Sequence, residues 1–128
     1  MNQGSAASAY REEALETAPP IKIVRLLYQG TLRFLDRALA ADPADPGSEF
    51  VALVSRADAV VCELRLSLDA ERAPEVAGPL CELYLFIEAQ LQRAMTERDP
   101  APLRAARSVL ATLYEAWAKV EVPAGASA

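Results

Sequence analysis

Histidine is absent from all 128 residues. That removes the usual proton shuttle near neutral pH and the commonest transition-metal ligand. Catalytic triads, phosphorelay histidines and the Glu-x-x-His sites of di-iron bundles are excluded with it. Only two cysteines occur, Cys62 and Cys81, and both fall within apolar helical patterns, where a thiol packs as a small hydrophobe. Two thiols at that spacing, with no third or fourth ligand, make a poor zinc site. No uninterrupted apolar run approaches the roughly 18 residues of a membrane span, and no basic start followed by an apolar stretch marks a signal peptide. Excess positive charge is also missing. The formal net charge is −5, unlike the concentrated basic surface that nucleic-acid binding uses. A cytoplasmic location is the expectation, with no nucleic acid, membrane insertion, cofactor or metal.

What the chain does have is apolar residues, 52 % of the total, enough to bury a core in one domain. They recur with helical periodicity between short breaks. Residues 1–16 are small and polar apart from Tyr10 and Leu15, which predicts a flexible N-terminal arm. Thr17-Ala-Pro-Pro then opens a first helix, because proline fits a first turn whose N–H groups have no intrahelical partner. That helix is expected from Pro20 to Ala41. The breaker cluster Asp42-Pro-Ala-Asp-Pro-Gly-Ser48 ends it, and Ser48 is a candidate N-cap for a second helix running to Asp69. Ala70 to Pro74 form a turn. The third helix runs to Arg98, and Gly78-Pro79 leaves its start open, either in the first turn or at a kink. Asp99-Pro100 reads as N-cap and first helical residue of a fourth helix ending near Val122. The fold class is therefore all-α, an antiparallel up-down four-helix bundle over residues 17–122, with the arm at 1–16 and a disordered tail at 123–128.

The apolar stripes are wider than such a bundle requires. In the first helix Ile21, Val24, Tyr28, Leu32, Leu35 and Leu39 form the inward stripe, and Ile23, Leu27, Phe34 and Ala38 an adjoining row. In the second, Phe50, Leu53, Val54, Ala57, Val61, Leu64 and Leu68 point inward, leaving Val51, Ala59, Cys62 and Leu66. The third is expected to bury Val76, Leu80, Leu83, Ile87, Leu91 and Ala94, with Leu85, Phe86 and Ala89 projecting elsewhere. The fourth needs one face only, built from Leu103, Ala106, Leu110, Leu113, Tyr114 and Trp117. Spare apolar surface on three helices either closes a homodimer, accepts a helix from another protein, or receives the chain's own arm. Carboxylates such as Glu12, Glu13, Glu16, Glu82 and Glu88 are expected on exposed faces or in the arm. No phosphate loop, nucleophile elbow or metal cluster accompanies them, so no enzymatic activity is expected.

Several segments, in order, are similar to a known family. Tyr10, Thr17-Ala-Pro-Pro, Leu26-Leu-Tyr-Gln-Gly-Thr-Leu-Arg-Phe-Leu35, Glu63-Leu-Arg-Leu-Ser-Leu-Asp69, Leu80-Cys-Glu-Leu-Tyr84 and Leu113-Tyr-Glu-Ala-Trp117 together resemble the flagellar export chaperones of the FliS family. Each motif alone is unspecific, but their order and spacing cover nearly the whole chain. Departures are Gln29 in place of the usual aspartate, Ala18 where a serine is frequent, and Leu85-Phe86 in place of an Asp-Tyr-like pair. The resemblance implies a cytoplasmic chaperone that holds the disordered C-terminal segment of flagellin, prevents premature polymerisation and aids delivery to the flagellar type III export apparatus. Export-gate components and regulatory proteins are further candidate partners. It also implies that Tyr10 covers part of the client groove when the client is absent. The candidate flagellin-binding residues are Tyr10, Ile23, Leu27, Phe34, Val51, Cys62, Leu66, Leu85 and Phe86. The alternative is a non-enzymatic helical adaptor or homodimeric bundle with another protein partner.

Overall fold

A computed structural model of the chain describes residues 21–119. It contains four helices and, among the described residues, no strand: α1 (Ile21–Ala40), α2 (Phe50–Leu66), α3 (Pro74–Glu97) and α4 (Pro100–Lys119). Each helix packs on its neighbours in the chain, and α4 closes the ring against α1. The direction of packing is visible in side-chain pairs that run oppositely along α1 and α4. Arg25 reaches Trp117, Gln29 reaches Tyr114, and Asp36 reaches Arg107. This is the up-down arrangement that short connections impose.

The breaks are made by the residues suited to make them. Between α1 and α2, Asp42 Oδ1 accepts the Ala44 N–H and Asp45 Oδ1 accepts the Gly47 N–H, each at 2.9 Å, the local turn that an aspartate side chain offers its own backbone. The N-cap of α2 is Glu49 and not Ser48, and it makes no side-chain capping bond; Ser48 Oγ, one residue earlier, accepts the Phe50 N–H at 3.3 Å. Asp69 Oδ1 receives the Glu71 and Arg72 N–H groups between α2 and α3. Asp99 Oδ1 accepts the Ala101 N–H at 2.9 Å ahead of Pro100, as its N-cap position predicted. The start of α3 resolves in favour of Pro74 at the first helical position, with Pro79 inside the second turn. Pro79 offers no N–H to the Glu75 carbonyl, and both residues are exposed, so water can satisfy that oxygen.

The core contains Tyr28, Leu35, Leu53, Val54, Ile87, Leu91, Leu103 and Leu110, all at most 1 % exposed. Three expectations need correction. Ala38, placed on the spare row, is fully buried and belongs to the core cluster with Leu35 and Phe50, so the inward face of α1 is turned towards the row expected to be spare. Val76 and Leu83, expected inside, are 58 % and 38 % exposed. The inward stripe of α3 runs instead through Ala77, Leu80, Tyr84, Ile87, Leu91 and Ala94. Rotating the stripe by one residue brings Tyr84 inward, where its hydroxyl lies 2.6 Å from that of Tyr28. That bond joins the diagonally opposed helices α1 and α3. It lets two phenols be buried without an orphaned polar atom, an omission that would cost about 1–3 kcal/mol.

Helix α3 ends on Arg98 in the left-handed region, at φ 50° and ψ 50°. Glycine adopts this conformation without a Cβ penalty and is the usual residue there. Arg98→Gly should therefore raise the unfolding free energy by about 0.5–1 kcal/mol in urea titration. A loss of stability would show that the exposed 3.4 Å bond from Arg98 to the Pro43 carbonyl outweighs backbone relief.

Candidate functional site

Antiparallel packing places the first turns of α1 and α3 at the same end of the bundle as the last turns of α2 and α4. Most of the exposed large apolar side chains lie there. Ile23, Leu26 and Leu27 begin α1, Leu66 ends α2 and Val76 begins α3, while Leu83, Leu85 and Phe86 lie midway along α3, all with exposures of 38–58 %. Among the described residues α4 contributes none. The same end is less tightly sealed within. Leu64, Ala77 and Leu80 retain 5–9 % exposure, whereas the core leucines nearer the other end retain 0–1 %. A pocket of about 260 Å³ opens there, with Val24, Leu68, Leu80, Tyr84 and Trp117 in its wall and Asp69 and Arg72 also lining it.

The aromatic floor is held by hydrogen bonds. Burial raises the Tyr28 and Tyr84 pKa values above that of a free phenol; Tyr28 raises Tyr84 further, Tyr84 lowers Tyr28, and the nearby Trp117 side chain lowers both. Both therefore stay neutral across the physiological range. Arg25 Nε and Nη2 donate to the Trp117 carbonyl at 3.2 and 3.0 Å. A cation thus sits at the C-terminus of α4, where the helix dipole favours it. Gln29 Nε2 donates to the Tyr114 hydroxyl at 2.6 Å. An aspartate carboxylate, usual at this position in the resembled family, could not donate that bond.

Along the α2–α3 seam, Arg65 donates from Nε and Nη2 to both oxygens of Glu88, at 2.6 and 3.2 Å. Glu88 was expected on an exposed face. It is only 7 % exposed, because the guanidinium from α2 covers it. Arg65 also reaches the Cys62 sulfur at 3.7 Å. Asp58 Oδ1 is buried without a hydrogen-bond partner. Burial first, then repulsion from Glu88, raises the Asp58 pKa above 3.8, against lowering by Gln92 and Arg65. These groups fix the seam beside Leu66 and Leu85, but they lack the nucleophile and proton-transfer geometry of a catalytic centre. Among the described residues, no group of three or more His, Cys, Asp or Glu could hold a metal ion.

The candidate binding residues divide by placement. Ile23, Leu27, Leu66, Leu85 and Phe86 are exposed. Phe34 and Val51 are half-buried and pack against the core, and Cys62 is half-buried at the seam. By helical position, Ile23, Leu27 and Phe34 flank the α1–α2 side, while Val51, Cys62, Leu66 and Leu85 flank the α2–α3 seam and Phe86 points away from it. They form more than one strip. Tyr10 lies outside the described residues. Leu26, Val76 and Leu83 are exposed apolar residues that sequence reasoning did not place among the binding residues. Leu26 had a detectable signal, since it adjoins the spare row one residue from Leu27.

A small helical bundle with unspent apolar surface at one end defines a class of proteins that act by binding other chains. The particular family follows from comparison. The profile of the family described as Flagellar protein FliS matches residues 1–124. Flagellar secretion chaperone FliSB of Pseudomonas aeruginosa is 32 % identical over 106 residues, covering 83 % of this chain and 84 % of that protein. Flagellar secretion chaperone FliS of Campylobacter jejuni is 32 % identical over 120 residues, covering 94 % of each. Its Salmonella typhimurium counterpart is 27 % identical over 110 residues, covering 85 % of this chain and 82 % of that protein. This chain belongs to the FliS family of flagellar secretion chaperones, which is a chaperone family and not a family of enzymes.

The raised Asp58 pKa generates a stability prediction. A carboxyl that is harder to ionise when folded loses stability as pH rises from its unfolded value of 3.8 through its folded value, because the native state binds more protons across that interval. Asp58→Asn should raise the melting temperature at pH 7 and flatten its fall over that interval. An unchanged pH profile in thermal melts would mean that Arg65 and Gln92 already compensate the charge.

Proposed function

We propose that this chaperone binds the C-terminal segment of flagellin on the apolar surface at the open end of the bundle. In doing so it prevents premature polymerisation and aids delivery to the flagellar type III export apparatus. The observation that carries the reading is the set of eight large apolar side chains left 38–58 % exposed on α1, α2 and α3. A polymerising subunit's terminal segment has an apolar face that only the finished assembly buries. In the cytoplasm, the compartment this reading requires, the segment needs a substitute surface. Among the described residues no helix is long and apolar enough to cross a membrane.

The energetics suit capture followed by release. Burial contributes on the order of 25 cal/mol per Å² of apolar surface, and ordering a disordered segment offsets several kcal/mol of that. A large contact then ends in moderate net affinity. In this reading residues 17–122 form the client-binding bundle, residues 1–16 an arm whose Tyr10 covers part of the client surface, and 123–128 a tail. Ile23, Leu27, Leu66, Leu85 and Phe86 meet the client directly. Phe34, Val51 and Cys62, being half-buried, shape the surface beneath it. Export-gate components and regulatory proteins are further partners in this reading.

Calorimetry with a flagellin C-terminal peptide tests the proposal. Ile23→Asp with Leu27→Asp should weaken binding about tenfold or more, as removal of central apolar anchors does, while melting temperature changes little because both residues are exposed. Binding unchanged by the pair would remove this surface from the mechanism. Tyr10→Ala separates two roles for the arm. Tighter binding identifies a competitor, since the client otherwise meets only the open fraction of molecules, and weaker binding identifies a direct contact.

A further inference from the structure

The fold brings together charges that the sequence keeps far apart. Helix α1 carries Lys22, Arg25, Arg33 and Arg37 against one carboxylate, Asp36. Helix α4 carries Arg104, Arg107 and Lys119 against Glu115. The other two helices have the opposite balance, with Arg56, Arg65 and Arg93 against Asp58, Glu63, Glu75, Glu82, Glu88 and Glu97. Because α4 packs back on α1, the two basic helices become neighbours, and a chain of net charge −5 presents one positive side.

The register of α1 against α4 arranges that side. Lys22 lies three residues before Arg25 and Arg33 four after Gln29, the two residues that reach α4, so both share that side of α1. Arg104 lies three residues before Arg107, which reaches Asp36 of α1. The pairing of Arg25 with Trp117 puts Lys22 level with the end of α4, where Lys119 lies, and Arg33 falls between these and Arg104. All four are exposed. Among the described residues none of the four forms an ion pair, whereas Arg107 is already engaged with Asp36. From Arg104 to Lys119 the face extends about 22 Å, at about 1.5 Å per residue.

Charge and shape select the occupant. Nucleic acid and anionic membranes are held by concentrated basic clusters. Here the cations are strung out along two helices, Glu115 stands on the same helix as two of them, and the rest of the molecule repels a polyanion. A helix of about 15 residues with carboxylates along one side matches the length of the face and meets it without wrapping the acidic helices.

We propose that the α1–α4 face, centred on Lys22, Arg33 and Arg104, is a docking site for an acidic helix of a partner protein. It is separate from the apolar surface on which the client reading rests. Attraction between exposed charges speeds encounter more than it prolongs residence, and it weakens with salt. The partner therefore recognises the chaperone reversibly, with the apolar surface left free.

The probe is a fluorophore-labelled 15-residue helical peptide of glutamate and alanine, followed by anisotropy at low ionic strength and at about 0.15 M salt. No flagellin is present, so the outcome is independent of the client proposal. Lys22→Glu with Arg33→Glu and Arg104→Glu reverses the face, and Arg56→Glu with Arg72→Glu and Arg93→Glu changes net charge equally elsewhere. All six positions are exposed, and circular dichroism checks that each variant remains helical. The expected result is peptide binding that falls with salt, weakens about tenfold or more on reversal of the face, and changes less than about twofold in the matched control. Should the reversed variant unfold, the same three positions changed to glutamine decide. Equal weakening by both trios overturns the proposal, since net charge alone would explain the attraction, and so does absence of peptide binding at low salt. Tighter binding of duplex DNA or of phosphatidylglycerol vesicles through the same three residues also overturns it, and assigns the face to a polyanion or a membrane.

Discussion

Two phenol hydroxyls, 2.6 Å apart, join the diagonally opposed helices α1 and α3 through the core of this bundle. Tyr28 and Tyr84 are among its largest fully buried side chains, and their mutual bond makes burial of two polar atoms tolerable. Towards one end, leucines and alanines close the interior completely. Towards the other, Tyr84 and Trp117 line a pocket between the helices.

That asymmetry organises the surface as well as the interior. Near the pocket, the start of α1, the end of α2 and the start of α3 also carry apolar side chains in contact with water. An up-down bundle brings the start of α1, the end of α2, the start of α3 and the end of α4 together, with two of its chain connections at the opposite end. Charged pairs lie at the periphery. Arg37 with Glu49 and Asp36 with Arg107 are solvent-accessible and contribute little individually. Arg65 with Glu88 is more enclosed and ties α2 to α3 beside the exposed strip.

Much of this was legible from residue types alone. The Pro, Asp and Gly breakers marked each connection, and Asp99-Pro100 located the start of α4. The inward stripes of α2 and α4 followed from spacing, and that of α1 did so through Tyr28 and Leu35 but not Thr31 or Ala38, while the surplus on the first three helices was visible as well. The register of α3 did not. Leu80, Leu83, Ile87 and Leu91 satisfy helical spacing about as well as Leu80, Tyr84, Ile87 and Leu91, and the choice rests on a hydroxyl partner contributed by α1. Glu88 was misplaced for a related reason, since its cover is a guanidinium from another helix. Pairings across elements have no local pattern to read. The clustering of exposed residues at one end was likewise invisible until the helices were set side by side. The binding partner was reached through family resemblance, because an apolar surface specifies the chemistry of its occupant but not the occupant's identity.

On the proposed reading, the open end serves a foreign chain and not a second copy of this one. Light scattering coupled to size-exclusion chromatography measures this directly, with the protein alone and after mixing with flagellin. The account predicts a monomer that forms a one-to-one complex with intact flagellin and none with flagellin lacking its C-terminal segment. A stable dimer that leaves flagellin unbound would contradict it.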